Sequence, residues 1–214
     1  MLSVQKITEH VWWLPPGPPD RPSLCAVVGE RWTVALDAGA SRAHTRQFLD
    51  GLPAQPRAVV YTHSHWDHVF GGVEIDGPVI THTLTAEKLV EMAARDWTDD
   101  AKVNEHIREE LPAPRVVEVR PAEILFDDSL VLDLGGVRVH VRHVGGDHAE
   151  DSSVMFVEPD AVLFLGDALC DAIDDRLENA VLSWSARHYV EGHHASVSTR
   201  QELEAIIAEQ RGLQ

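Results

Sequence analysis

The sequence predicts an α/β sandwich, in which two β-sheets lie face to face and helices cover them, formed by one domain of residues 1–214. Short strand-like runs occur in both halves of the chain, and segments with helical spacing of apolar residues lie between them. A length of 214 residues with 44% apolar side chains is enough for one sizeable core. The proline-rich run 15–19 predicts a rigid loop.

Apolar and β-branched runs predict six strands in the first half of the chain. They are residues 4–7, 11–14, 24–28, 32–36, 58–61 and 79–81. The second half contains six further runs, at residues 115–119, 130–132, 137–143, 153–157, 161–165 and 189–191. Helices are predicted at residues 41–49, 85–95, 101–110, 177–187 and 199–211. Ser198 is expected to cap the last of these helices.

Four side chains of metal-binding type lie within six positions, and they are His63, His65, Asp67 and His68. Thirteen histidines spread over 214 residues rarely produce this spacing by chance. Side chains alternate in an extended segment, so His63 and His65 can converge on one ion at the end of the preceding strand. Asp67 and His68 follow as the chain turns and can face a second ion. The pattern therefore predicts a site for two metal ions.

This motif and the segments around it resemble the metallo-β-lactamase superfamily. The resemblance extends from residue 33 to residue 193 and follows the order of the family's elements. The matching segments are Thr33-Val-Ala-Leu-Asp37, the histidine loop, Gly145-Gly-Asp-His148, Ala161-Val-Leu-Phe-Leu-Gly-Asp167 and Val190-Glu-Gly-His193.

The resemblance implies a four-layer αββα sandwich with a dinuclear metal centre. One ion would be held by His63, His65 and His148. The other would be held by Asp67, His68 and His193, with Asp167 bridging the two ions. Asp37 would hydrogen-bond a ligand histidine or the ligand loop and so fix the orientation of the ring. His194 is the alternative to His193, but the family pattern takes the residue directly after the glycine.

The residue at position 167 indicates the branch of the family. Class B β-lactamases commonly have a cysteine where this chain has Asp167, whereas an aspartate bridge is the pattern of glyoxalase II and the lactonase-like hydrolases. The spacing from His148 to Asp151 is, in contrast, similar to that of class B lactamases. The aspartate favours the glyoxalase II and lactonase-like branch.

The expected activity is metal-dependent hydrolysis of a small-molecule ester, thioester, lactone or amide by a metal-bridging hydroxide, with Asp67 as general acid/base. Zinc is the expected metal, while iron and manganese suit the same ligands. Two enzymatic alternatives are an iron-dependent persulfide dioxygenase and a class B β-lactamase-like activity. The non-enzymatic alternative is a metal-binding or ligand-sensing module without turnover.

Substrate walls are expected in the loops around this centre. Trp66, Trp97 and His82 are the candidates, with ordinary packing as the alternative for each. The two cysteines, Cys25 and Cys170, have no paired spacing and are expected to be thiols. Cys170 follows Asp167 by three residues and is expected to be a buried, small apolar side chain, with an approach to the metal site as the alternative.

The net charge of −17 and the pI near 5.0 predict a surface that repels polyanions and acidic membranes. A small-molecule substrate is therefore expected, rather than a nucleic-acid or membrane partner. The sequence has no run of about 20 apolar residues, and its start lacks the regions of a signal peptide, which predicts a cytoplasmic protein. The oligomeric state and the substrate stay open.

Overall fold

A seven-stranded sheet is built from the first part of the chain. The computed structural model describes residues 2–212. The strands of this first sheet are β1 (Gln5–Lys6), β2 (Val11–Leu14), β3 (Leu24–Val28), β4 (Thr33–Leu36), β5 (Val59–Val60), β6 (Val79–His82) and β7 (Ile124–Phe126). They lie side by side in sequence order, antiparallel from β1 to β4 and parallel from β4 to β7.

A five-stranded sheet follows in the second part of the chain. Its strands are β8 (Ser129–Asp133), β9 (Arg138–His143), β10 (Ser153–Glu158), β11 (Val162–Gly166) and β12 (His188–Glu191). The order is β12-β11-β10-β9-β8, and all neighbours are antiparallel except β11 and β12, which run parallel.

The core lies in three layers between and outside these sheets. Apolar side chains of both sheets meet in the middle, for example Leu36 and Val60 from the first with Met155 and Phe164 from the second. The helices are α1 (Arg42–Asp50), α2 (Trp66–Val69), α3 (Thr83–Ala94), α4 (Glu105–Glu110), α5 (Asp175–Leu182) and α6 (Arg200–Gly212). Helices α1, α3 and α4 pack on the first sheet, whereas α5 and α6 pack on the second. The expected four-layer αββα sandwich is confirmed.

Several element predictions differ from the structure. Residues 115–119 form no strand, because the Arg115 guanidinium is tied to the carbonyls of Leu111 and Trp97 and the segment runs over the helical layer. Strand β7 was not predicted, since it contains only three residues and two of them are exposed. The predicted helix 101–110 is divided into a 3-10 turn, Asp100–Lys102, and α4.

The cap of the last helix is Thr199 and not Ser198. Thr199 and Glu202 form a capping box, in which the Glu202 N–H donates to Thr199 Oγ1 and Glu202 Oε2 accepts from the Thr199 N–H. Ser198 is instead buried and pairs through its backbone with Tyr189.

Within residues 2–212, no helix has the length and apolar character needed to span a membrane.

Candidate metal centre

The candidate ligands meet at one edge of the sandwich, where strand ends from both sheets lie close together. Strands β4 and β5 end at this edge, and so do the parallel strands β11 and β12 of the other sheet. The loops that follow them therefore converge, as expected for the carboxyl ends of parallel strands. The loop before β10 reaches the same edge because β10 runs in the opposite direction to β11. The Ser153 N–H donates to the Thr62 carbonyl at 2.8 Å and joins the two sheets there.

The first group consists of His63, His65 and His148, with one nitrogen from each within 4.8 Å of the others. His148 Nε2 lies 3.0 Å from His65 Nδ1. The His63 ring is fully buried, and its Nε2 has no hydrogen-bond partner among the described residues. A buried nitrogen without a partner is rare in proteins, and a metal ion in this group would satisfy it.

The second group consists of Asp67, His68, Asp167 and His193, again within 4.8 Å of one another. His193 Nε2 lies 3.2 Å from Asp67 Oδ2 and 3.3 Å from Asp167 Oδ2. His68 Nε2 lies 3.4 Å and 3.2 Å from the same two oxygens. Two imidazole nitrogens and two carboxylate oxygens thus face a common point, which is a donor set that suits a divalent transition metal.

Asp167 lies between the two groups. Its Oδ2 is 3.5 Å from His148 Nε2 in the first group, in addition to its contacts in the second. Its buried Oδ1 has no partner among residues 2–212. A Cβ added at Gly192 would lie 1.8 Å from this oxygen, so the residue before His193 has to be glycine.

The electrostatics of the two groups differ. Burial, followed by the neighbouring His68, holds the pKa of His63 well below its usual value, so its imidazole is neutral. In the second group, burial lowers the pKa of His193, but hydrogen bonds to Asp167 and Asp67 raise it by more. The pKa of His193 is therefore about 10. The same competition between burial and carboxylates holds the pKa of His68 well above the ordinary value. The second group therefore binds protons where metal ligands would release them.

Asp37 lies behind the ligands, as the resemblance implied. Its Oδ2 is 2.7 Å from His68 Nδ1, and its Oδ1 accepts from the Thr62 N–H at 2.6 Å. Asp37 has a φ of 61°, a left-handed conformation that aspartate and asparagine tolerate better than most residues. The carboxylate thus orients a candidate ligand and the start of the ligand loop together.

Asp151 is a functional candidate that the sequence interpretation did not identify. Its side chain is fully buried, with Oδ2 accepting from the Ser64 N–H and Oδ1 accepting from Lys88 Nζ, both at 2.9 Å. Burial raises the pKa of Asp151, but the Lys88 ammonium and the hydrogen bonds to the carboxylate lower it by more. The carboxylate is therefore ionised. The spacing from His148 to Asp151 was the available signal.

Asp171 is a second such candidate. Its Oδ2 lies 2.8 Å from His148 Nδ1. A carboxylate can only accept here, so His148 carries its proton on Nδ1 and turns the lone pair of Nε2 toward His65.

A cavity of about 500 Å³ exposes the centre to solvent. Its walls combine candidate ligands with further polar and aromatic residues. They are Asp20, His65, Trp66, Asp67, Asn104, His148, Asp167, Cys170, Asp171 and His193.

The expectation that Cys170 is buried is wrong, because this thiol is exposed on the cavity wall. The surrounding cavity wall still desolvates the sulfur, and this desolvation and then the charge of Asp167 raise its pKa, so it stays protonated. Cys25 is buried, as a core residue of the first sheet.

The three wall candidates occupy different places. Trp66 lines the metal cavity, and Trp97 lines the cavity next to it. His82 lines neither, because its ring stacks on His143 at 3.8 Å and its Nδ1 accepts from the Leu84 N–H at the start of α3.

His193 and not His194 faces the candidate centre. The His194 side chain is 45% exposed and lies 3.1 Å from the Ser196 carbonyl.

The sequence profile of the metallo-beta-lactamase superfamily matches residues 18–210. The chain therefore belongs to the metallo-beta-lactamase superfamily. No curated protein is significantly similar to it in sequence.

Solved structures share the fold at low sequence identity. A metallo-beta-lactamase from Pontibacter korlensis is 19% identical with a TM-score of 0.71, over 97% of this chain and 98% of that one. A metallo beta lactamase from Hirschia baltica is 18% identical with a TM-score of 0.70, over 97% and 96% of the two chains. A stereoselective inverting sec-alkylsulfatase from Pseudomonas sp. is 14% identical with a TM-score of 0.73, and this chain covers 41% of it.

Proposed function

We propose that the protein is a dinuclear metal-dependent hydrolase that cleaves a small-molecule ester, thioester, lactone or amide. The observation that carries this proposal is the convergence of seven candidate ligands into two groups, with Asp167 in reach of both. We assign His63, His65 and His148 to one ion, and Asp67, His68 and His193 to the other, with Asp167 between them.

Bound divalent ions would lower the pKa of water to about 7 and polarise the substrate carbonyl. The side chains of the chain supply the rest. Asp67 is buried beside His68 and His193 with Oδ2 in the donor set, so its other carboxylate oxygen can accept the proton of the attacking water and deliver it to the leaving group. Asp37 and Asp171 hold the rings of His68 and His148 in the tautomers that leave Nε2 free.

The cavity and the charge of the chain favour a small substrate. A volume of about 500 Å³ lies in the range of pockets for small molecules. The net charge of −17 opposes binding of nucleic acids and acidic membranes. Imidazole and carboxylate donors favour zinc, with iron or manganese as the other metals of this ligand type.

The aspartate at position 167 supports the glyoxalase II and lactonase-like branch over the class B β-lactamases, which commonly have a cysteine there. In this structure the neighbouring thiol, Cys170, is protonated and has no place among the two groups. We therefore expect thioesters, lactones and esters to be better substrates than β-lactams.

The test is elemental analysis of the purified protein together with a panel of a thioester, a lactone, an aryl ester, a β-lactam, a phosphodiester and a sulfate ester. We expect two metal ions per chain and hydrolysis of the carboxylic esters. His65→Ala should abolish hydrolysis and lower the metal content. His140→Ala is the matched control, since this histidine lies on β9 and contacts Glu158 away from the centre.

Three results would contradict the proposal, each in its own way. Full activity of His65→Ala would refute the ligand assignment. Two bound metals without turnover of any substrate would favour a metal-binding or ligand-sensing module. A single iron with oxygen consumption on a persulfide would indicate the dioxygenase.

A further inference from the structure

A second cavity of about 630 Å³ lies beside the metal cavity. We call it the Arg95 cavity. It is lined by part of the ligand loop, one face of α3 and the segment that leads into α4. These residues are Ser64, His65, Trp66, Lys88, Glu91, Met92, Arg95, Trp97, Lys102, Asn104 and Ile107. Both cavities share His65, Trp66 and Asn104, so a molecule at the metal centre can extend into the Arg95 cavity.

The walls of the Arg95 cavity contain more basic than acidic side chains, in contrast to the chain as a whole. Its walls contain Lys88, Arg95 and Lys102 but only one acidic residue, Glu91. The chain as a whole has 35 acidic and 18 basic residues. The metal cavity, by comparison, is lined by four aspartates and by no lysine or arginine. A basic side chain of this wall that has no carboxylate partner would be the anchor for an anion.

Only one of the three cations lacks a carboxylate partner. Lys88 Nζ lies 2.9 Å from the buried carboxylate of Asp151. Lys102 Nζ lies 3.2 Å from Asp99. Arg95 has no carboxylate within 4.0 Å among residues 2–212, although its side chain lies in a strongly acidic protein. Its positive charge is therefore available to a ligand.

The Arg95 guanidinium is also held in place before any ligand binds. It stacks 4.3 Å from the ring centroid of Trp97 and donates one hydrogen bond to the Lys102 carbonyl. Trp97 is itself fixed, since its Nε1 donates to the Met92 carbonyl at 2.9 Å and its ring packs edge-on against Phe70. A fixed guanidinium with further N–H donors is suited to bidentate binding of a carboxylate.

We infer that the substrate is a carboxylate-bearing acyl compound whose carboxylate binds Arg95 while its acyl group lies at the metal centre. The inference rests on the proposed function and names its substrate class. One unpaired positive charge beside Glu91 suits a monoanion better than a dianion. Trp66, Met92 and Ile107 provide apolar walls for the carbon chain between the two ends. Hydrolysis would add water across the acyl–oxygen or acyl–sulfur bond and release a dicarboxylic acid with the alcohol or thiol.

The test compares two p-nitrophenyl esters of similar shape, the glutarate half-ester and the neutral 5-methylhexanoate, with the zinc-loaded protein. We expect a kcat/KM at least about tenfold higher for the half-ester, as a charge-assisted hydrogen bond predicts. Arg95→Gln should remove this preference mainly by raising KM for the half-ester, so that the ratio of the two kcat/KM values approaches one. Arg95→Lys should retain part of it. The matched control is Arg46→Gln, which removes the same charge from the exposed face of α1.

A binding measurement without turnover separates this inference from the proposed function. Calorimetric titration of metal-free protein with the monoanion monomethyl glutarate should show binding that Arg95→Gln weakens about tenfold and that Arg46→Gln leaves unchanged. If neither ester is hydrolysed but monomethyl glutarate binds at Arg95, the proposed function fails and the anion site stands. If both esters are hydrolysed equally and Arg95→Gln has no effect on kinetics or binding, the inference is overturned.

Discussion

The side chains of Asp37 and His68 form a fully buried pair, with 2.7 Å between the aspartate Oδ2 and the histidine Nδ1. A carboxylate can only accept a hydrogen bond, so the proton of the ring lies on Nδ1. The other ring nitrogen, Nε2, faces Asp67 and Asp167 and carries a proton in the metal-free protein, so it is the atom that would bind a metal ion in place of that proton.

Asp37→Asn should weaken binding of the second metal ion about 10- to 100-fold. An asparagine can keep the left-handed backbone at this position, but its NH2 group would face His68 Nδ1 and shift the proton of the ring to Nε2. We expect elemental analysis after dialysis to show loss of one metal ion with retention of the other, together with reduced hydrolysis. Retention of both ions and full activity would contradict the role of this pair.

The control for this prediction is Asp160→Asn. Asp160 also pairs with a histidine, since its Oδ1 lies 2.7 Å from His10 Nδ1, but the pair joins the β1–β2 turn to the β10–β11 turn. This variant should be less stable than the parent protein and should bind the parental amount of metal.

The histidine loop could be identified from the sequence because its four candidate ligands lie within six positions and follow a recognisable strand. The distant members, His148, Asp167 and His193, became identifiable only as matches to a family order. The structure brings all of them together, and their role as ligands stays a prediction. Gly192 shows the physical basis of one such match, since any side chain there would collide with Asp167.

Other features depend on tertiary contacts that no local pattern encodes. The run 115–119 has the composition of a strand, but Arg115 anchors its start to two backbone carbonyls, and it pairs with no strand. The contact between Asp171 and His148 joins residues 23 positions apart. Each is decided by how the loops fold against the sheets.

The adjacent histidines His193 and His194 should differ sharply when each is replaced by alanine. His193 Nε2 faces Asp67 and Asp167, whereas His194 is half-exposed on the protein surface. We expect His193→Ala to lose one metal ion and most of the hydrolytic activity, because it removes one of the few ligands to that ion. His194→Ala should match the parent protein in both measurements. The reverse result would show that His194 is the ligand.

Asp151→Asn should lower both stability and activity. The substitution leaves the Lys88 ammonium beside an amide and weakens the hydrogen bond from the Ser64 N–H. The free energy of unfolding should therefore fall by about 2 kcal/mol. His65 directly follows Ser64, so its position should become less defined and kcat should fall. Urea unfolding and steady-state kinetics measure the two effects. Glu150→Gln is the control, since this exposed carboxylate contacts Lys88 from the solvent side and its loss should change neither value.

His44 should make the protein less stable as the pH falls below 6.5. Burial, followed by the charges of Arg21 and His68, lowers the pKa of His44 to about 3, and its Nδ1 accepts from the Ala40 N–H in the neutral form. Between pH 6.5 and pH 3 the unfolded chain therefore binds a proton that the folded chain excludes, and the free energy of unfolding falls by about 2 kcal/mol from pH 7 to pH 5. His44→Gln removes this titration. Urea unfolding of both metal-free proteins should show that the stability of the parent falls more steeply than that of His44→Gln as the pH is lowered below 7. Equal slopes would show that His44 titrates normally in the folded protein.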